Sequence, residues 1–198
     1  SGLTDAVVER LQREHGLTNF DRGSVIVSAT HTHHSPAAFA SNGAHNFAAA
    51  MSASFDRQLF DAIAGGLAQA IADAYARRQP ATLSRAQTPL PGYSRNRSLE
   101  AFRADPEASS WIATRPSPGA CAGPAGVDVD ACRAVDPTVF ALRVEATADH
   151  RLLGAAIFAA VHPTAMANRT PVYHGDIFGI AAASVEAELG GGAEDGPV

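Results

Sequence analysis

The apolar positions along the chain fall into two periods. Between Phe55 and Arg78 they recur every four residues, at Phe55, Leu59, Ile63, Leu67, Ile71 and Tyr75, with Ala62, Ala70 and Ala74 beside them. That spacing predicts a long helix with one core-facing stripe. Gly65-Gly66 inside it weaken helix propensity and point to close packing against a neighbour, and Pro80 prevents its continuation. A first helix is predicted from Thr4, a capping residue, through Val7, Val8 and Leu11 to Gly16. A last one runs from Ile177 to Leu189 and stops at Gly190-Gly191-Gly192. The other period is two. Runs rich in β-branched or alternating apolar residues at Ser24–Ala29, Ala81–Gln87, Val139–Val144 and Leu152–Val161 predict strands, the last two joined by a turn at Asp149-His150. The expected architecture is α/β: a mixed β-sheet core flanked by helices, with residues 1–198 forming part of one domain. Residues 108–134, aperiodic and rich in Pro and Gly, are expected to be a surface excursion.

Two of the apolar runs end in histidine and then proline. Val25-Ile26-Val27 reads as a buried strand that drives into His31-Thr32-His33-His34, and Pro36 stops it. Leu152–Val161 drives into His162-Pro163. In an α/β protein the carboxyl ends of strands are where sites form, so a metal site at strand ends is expected there. Alternate residues of a strand face one way, which puts His31 and His33 together and His34 opposite, where it should matter least. Two imidazoles on one side can share a metal ion, or one can bind it while the other moves protons. A metallo-β-lactamase-type run fails, because Ser35 and Pro36 stand where an Asp and a His are needed. An amidohydrolase-type His-x-His at the end of a barrel strand stays open. In Ser94-Arg95-Asn96-Arg97-Ser98 the flanking Asn and Ser can orient a guanidinium toward an oxyanion. His45 sits in a small-residue loop and reads as a surface residue.

Composition narrows the functional classes. The hydrophobic share of 46% and charged share of 18% over 198 residues fit a chain with a real core. A net charge of -5 argues against nonspecific nucleic-acid binding. Every basic residue is Arg, a mark of base composition rather than function. No apolar run reaches the length of a membrane span and no signal peptide is present, while a start at Ser1 points to a natural N-terminus further upstream. Cys121 and Cys132 are the two cysteines, close together in a Gly/Pro/Asp-rich loop. They predict one disulfide and hence a secreted or periplasmic protein. Their spacing is not that of a zinc knuckle or a redox pair.

Taken in order, Ser28-Ala29-Thr30-His31-Thr32-His33, then Asn96-Arg97-Ser98, then Val135-Asp136-Pro137 with Leu142-Arg143, then Ala160-Val161-His162-Pro163-Thr164-Ala165-Met166 and Gly175-Asp176, resemble the neutral (non-lysosomal) ceramidase family across most of the chain. The resemblance implies a catalytic domain of a zinc-dependent amidase that cuts the N-acyl bond of ceramide or a related N-acyl lipid. It implies His31 and His162 as zinc ligands, His33 as the histidine that supports the reaction and Arg97 as the active-site arginine. Zn2+ would lower the pKa of its bound water to about 7 and polarise the amide carbonyl, and a cationic side chain would stabilise the oxyanion. Where the family carries a Ser-Gly-Pro-Gly-Gly-type loop after the histidines, this chain has His34-Ser35-Pro36-Ala37-Ala38, so substrate fit near the metal is expected to differ. The family's remaining ligands, a glutamate and a tyrosine, belong to a later part of its chain. A complementary polypeptide is the expected partner, with peripheral contact to membrane lipid. The competing readings are a metal-dependent hydrolase of another substrate and a non-catalytic half that needs a complementary chain.

Overall fold

A computed structural model describes residues 2–42, 46, 55–115 and 128–189. By its internal contacts the chain divides into two compact units, one comprising residues 1–79 and 163–183, the other residues 80–162 and 184–198.

The first unit is built on two helices. Helix α1 (Gly2–Arg13) carries Asp5 in its first turn and Arg10 and Arg13 in its last, which matches the sign of the helix dipole at each end. The chain reverses at Gly16, whose φ of 69° suits glycine, and the Leu17 N–H reaches back to the Leu11 carbonyl at 2.9 Å. Helix α2 (Arg57–Ala76) is capped by Asp56, whose carboxylate accepts the Leu59 N–H. Val7 and Leu11 of α1 are fully buried in one cluster with Ala64 and Ala68 of α2, flanked by Leu67 and Ile71. The buried line of α2 therefore runs through its small residues, beside the large-residue stripe read from the sequence. Alanines let the two helices approach, and Leu67 and Ile71 close over the sides. Each large side chain so buried contributes about 1.5–3 kcal/mol. A Cβ on Gly65 would lie 3.8 Å from the Arg10 guanidinium, so one of the two glycines does face α1.

The second unit holds a three-stranded sheet in the order β1 (Ala81–Pro89), β2 (Thr138–Ala146), β3 (Leu152–Ala159). Both pairings are antiparallel, with Leu83 opposite Val144 and Phe140 opposite Phe158. The expected mixed sheet is thus antiparallel throughout among the described residues. The tight turn at Asp149-His150 leaves β2 and β3 no other way to pair, closing with Ala146 N–H on the Arg151 carbonyl at 2.9 Å. Ile157 and Phe158, on opposite faces, are each about half exposed. Residues 108–134 include two short helices, α4 (Ala108–Thr114) and α5 (Val129–Arg133), which follow α3 (Leu99–Arg103). Leu99, Ala131 and Ala134 form a small cluster with Phe102 and Ile112. Cys132 is buried and is not a free thiol. Cys121, its expected partner, lies outside the described residues, as does His45. Helix α6 (Asp176–Leu189) completes the described chain.

One expected strand needs correction. Residues 25–30, which follow the turn ending at Ser24, have Val25 buried, Ile26 91% exposed and Val27 packed on the helical core, yet they join no ladder among the described residues. β-branched residues favour extended backbone, but a strand also needs a neighbour to pair with.

Candidate metal centre

The histidine stretch begins with a turn set by Asp21, whose carboxylate accepts the N–H groups of Gly23 and Ser24. The Ser24 side chain first, then these N–H groups, hold its carboxyl below the usual range. From there the chain runs to His31, whose φ of 62° lies in the left-handed region. Histidine tolerates that region better than most residues, though at a cost of order 1 kcal/mol or more, and such strain collects at functional positions. His31 and His33 are both exposed, with ring centroids 5.0 Å apart at a steep 77°. His162, also exposed, is the last residue before buried Pro163. His31, His33 and His162 each offer a ring nitrogen within 4.8 Å of the others. The structure therefore brings together three of the four residues singled out from the sequence. Three neutral imidazoles are a borderline-soft donor set suited to Zn2+, whose bonds to nitrogen are about 2.0–2.1 Å.

Arg97, the fourth, stands exposed on the loop after β1. Its neighbour Asn96 fixes that loop: the Asn96 backbone N–H donates to the Ala131 carbonyl at 2.7 Å, its side-chain amide to the Ala134 carbonyl at 3.0 Å, and its side-chain oxygen accepts the Ser98 N–H.

His34 is not the expendable neighbour that alternation suggested. It is buried, its Nε2 sits 3.0 Å from the Ala167 carbonyl, and its ring stacks on His174 with centroids 4.1 Å apart. Beyond it lies Asp176, also buried, at a φ of 53°. Burial pushes its carboxyl up, but the N–H groups of Met166, Ile177 and Ala165, with His174 nearby, outweigh this and hold it below the ordinary value. Gly175 between them has no room for a side chain, since a Cβ there would meet the Gly179 Cα at 2.7 Å.

Residues 1–196 match the family described as neutral/alkaline non-lysosomal ceramidase, N-terminal. The chain belongs to that family.

Among its relatives, the neutral ceramidase of Mycobacterium tuberculosis is 29% identical over 189 residues, 96% of this chain and 26% of that protein. Neutral ceramidase A of Dictyostelium discoideum is 29% identical over 175 residues, 88% of this chain and 21% of that protein. The crystal structure of neutral ceramidase from Pseudomonas aeruginosa superposes with a TM-score of 0.75 at 27% identity, covering 99% of this chain and 27% of that one. The chain thus spans about a quarter of the length of these ceramidases. Thr32, His174 and Asp176, which the sequence reading passed over as chemistry, are the residues that hold the histidine stretch. The Gly175-Asp176 pair is the signal the sequence carries, and only the burial of Asp176 and the close approach at Gly175 give it meaning.

Proposed function

We propose that the chain is the histidine-bearing N-terminal part of a zinc-dependent amidase that hydrolyses the N-acyl bond of ceramide or a related N-acyl lipid. The observation that carries this reading is the exposed group His31, His33 and His162 in a chain of ceramidase ancestry. His31 and His162 would hold the ion. Zn2+ there would supply a bound water of lowered pKa and polarise the amide carbonyl. His33, its ring beside that of His31, takes the proton from the attacking water and returns it to the leaving amine. Arg97 offers an exposed guanidinium to the charge that develops on the carbonyl oxygen. A second reading has support of its own: all three rings lie within mutual reach, so His33 can serve as the third ligand of a site that is complete in protein donors.

The remainder of the enzyme is supplied by further polypeptide, which joins this chain as part of one catalytic domain. Supporting this are the quarter-length match to the ceramidases and the exposure of Ile26, Leu83 and Ile180, at 91%, 65% and 67%. The substrate is presented at a lipid surface, and no described helix is long and apolar enough to cross a membrane. His34-Ser35-Pro36-Ala37-Ala38 shapes the approach to the ion, and a different amide or ester substrate is the outcome that would follow if ceramide does not fit.

The test is metal content together with turnover on the assembled protein. One zinc per chain, with release of fatty acid from ceramide, is expected. Metal-loaded protein inert toward every N-acyl lipid would refute the reading, and hydrolysis confined to other amides or esters would move it to the broader class. Export to an oxidising compartment is proposed from Cys121 and Cys132. Intact mass without reductant should fall short of the reduced mass by the two thiol hydrogens, and a free thiol at Cys121 would end that argument.

A further inference from the structure

The buried group His34, His174 and Asp176 places ligand atoms within 4.8 Å of one another, so a second metal site is the first thing to ask of it. The rings answer otherwise. They stack 4.1 Å apart with only 25° between their planes. Lone pairs lie in the ring planes, and two planes so nearly parallel do not meet within a metal–nitrogen bond of about 2.1 Å from both. The proton positions disagree as well. His34 Nε2 faces a carbonyl, which can only accept, so Nε2 carries the proton and Nδ1 the lone pair. His174 Nδ1 faces the Asp176 N–H at 3.0 Å and must accept it, which puts the ring proton on Nε2. The one lone pair His174 has is therefore already used. His34 Nδ1 and His174 Nε2 stay buried and unpartnered, and stacking prevents their meeting in plane.

What the group does hold is backbone. The Thr32 hydroxyl, between the two exposed histidines, donates to the His174 carbonyl at 2.7 Å. The His174 N–H donates to the His34 carbonyl at 3.0 Å. From the same segment the Asp176 carboxylate accepts the N–H groups of Ala165 and Met166, three and four residues after His162. One short segment, residues 174–176 at the start of α6, thus grips both the stretch that carries His31 and His33 and the stretch that follows His162. Two backbone positions in the left-handed region, His31 and Asp176, lie within this arrangement and need such bonds to persist.

We propose that Thr32, His34, His174 and Asp176 form a positioning clamp that sets the mutual spacing of His31, His33 and His162, and through it the affinity and geometry of the metal they bind. The clamp is a property of this chain's own residues, and it rests on the reading of that exposed group as the metal site. Partners behind metal ligands typically account for about 10–100-fold in affinity, which is the effect expected here.

The test is Thr32→Val, which keeps the shape of the side chain and removes the hydroxyl, with Thr32→Ser as the variant that restores it. His174→Phe keeps a stacking ring and removes the acceptor for the Asp176 N–H. Each is compared with the unaltered protein, all in the native assembled form. Zn2+ affinity is measured by chelator competition, and the visible absorption of the Co2+-loaded protein reports ligand geometry. Thr32→Val should bind zinc about 10–100-fold more weakly and shift the Co2+ bands, and Thr32→Ser should recover both. Should His174→Phe fail to fold, Thr32→Val and Thr32→Ser decide the matter alone. Unchanged affinity and unchanged Co2+ bands in Thr32→Val would overturn the clamp while leaving the metal site intact. Failure of the unaltered protein to bind Zn2+ or Co2+ would overturn the metal site itself, and the clamp with it.

Discussion

His33 and His34 are neighbours in the chain and opposites in the fold. His33 belongs to an exposed group with His31 and His162, whereas His34 lies buried against His174 in a group closed by Asp176. In the buried group, ring nitrogens and carboxylate oxygens are bonded to backbone: His34 to the Ala167 carbonyl, His174 to the Asp176 N–H, and Asp176 to three N–H groups. In the exposed group three imidazoles face the medium and can be reached by an ion and a substrate. A histidine whose ring is committed to the backbone is a structural part. One that stays accessible within reach of two others is available for chemistry. Exposure separates the two groups, and the residue type alone does not.

The sharpest way to break this comparison is to truncate one ring at a time. His31→Ala removes a proposed ligand, so metal content and turnover should fall together. His33→Ala should keep most of the metal yet slow turnover by roughly 10²–10⁴, the usual size of a lost proton-transfer group. Zinc stoichiometry and turnover on the assembled protein measure both. If His33→Ala loses zinc as fully as His31→Ala, the three-histidine ligand set is the correct reading and the proton carrier must be sought elsewhere.

How far the sequence could reach differs between the two groups. Alternation grouped His31 with His33 and set His34 apart, and that grouping holds although the strand it assumed does not form and His31 has a left-handed φ; the His-Pro ending of the later apolar run pointed to His162. Period-four and period-two patterns located α1, α2, α6 and all three strands to within a few residues. What stayed hidden depends on partners. Residues 24–30 have the composition of a buried strand, but whether Ile26 is covered is decided by what lies alongside it, and within this chain it is 91% exposed. The same limit concealed the buried group, because a Thr hydroxyl on a carbonyl 142 residues away leaves no periodic trace. The buried line of α2 runs through Ala64 and Ala68 because helix–helix distance rewards small residues, which a pattern of large ones does not reveal.

A smaller effect, on stability rather than chemistry, sharpens the buried side of the comparison. Asp176 is held ionised by backbone N–H groups against the opposing pull of burial, so its folded-state pKa lies below the ordinary carboxylate value. A depressed pKa contributes stability that is fully present above the unfolded value, about 3.9, and is lost as pH falls through the folded one. Asp176→Asn keeps the size but turns an amide N–H2 toward groups that can only donate, so the variant should melt lower than the unaltered protein at neutral pH. Between pH 7 and about 5 that gap should be constant, because the carboxylate is charged in both states. Below about 5 the gap should narrow, since the unaltered protein then loses what the variant never had. Thermal midpoints of the two proteins across that range measure it, in metal-free buffer so that changes at the exposed histidines do not enter. A gap that stayed the same down to the lowest pH would mean that Asp176 contributes through shape alone, and the charge-holding role of the 165–166 and 177 N–H groups would have to be given up.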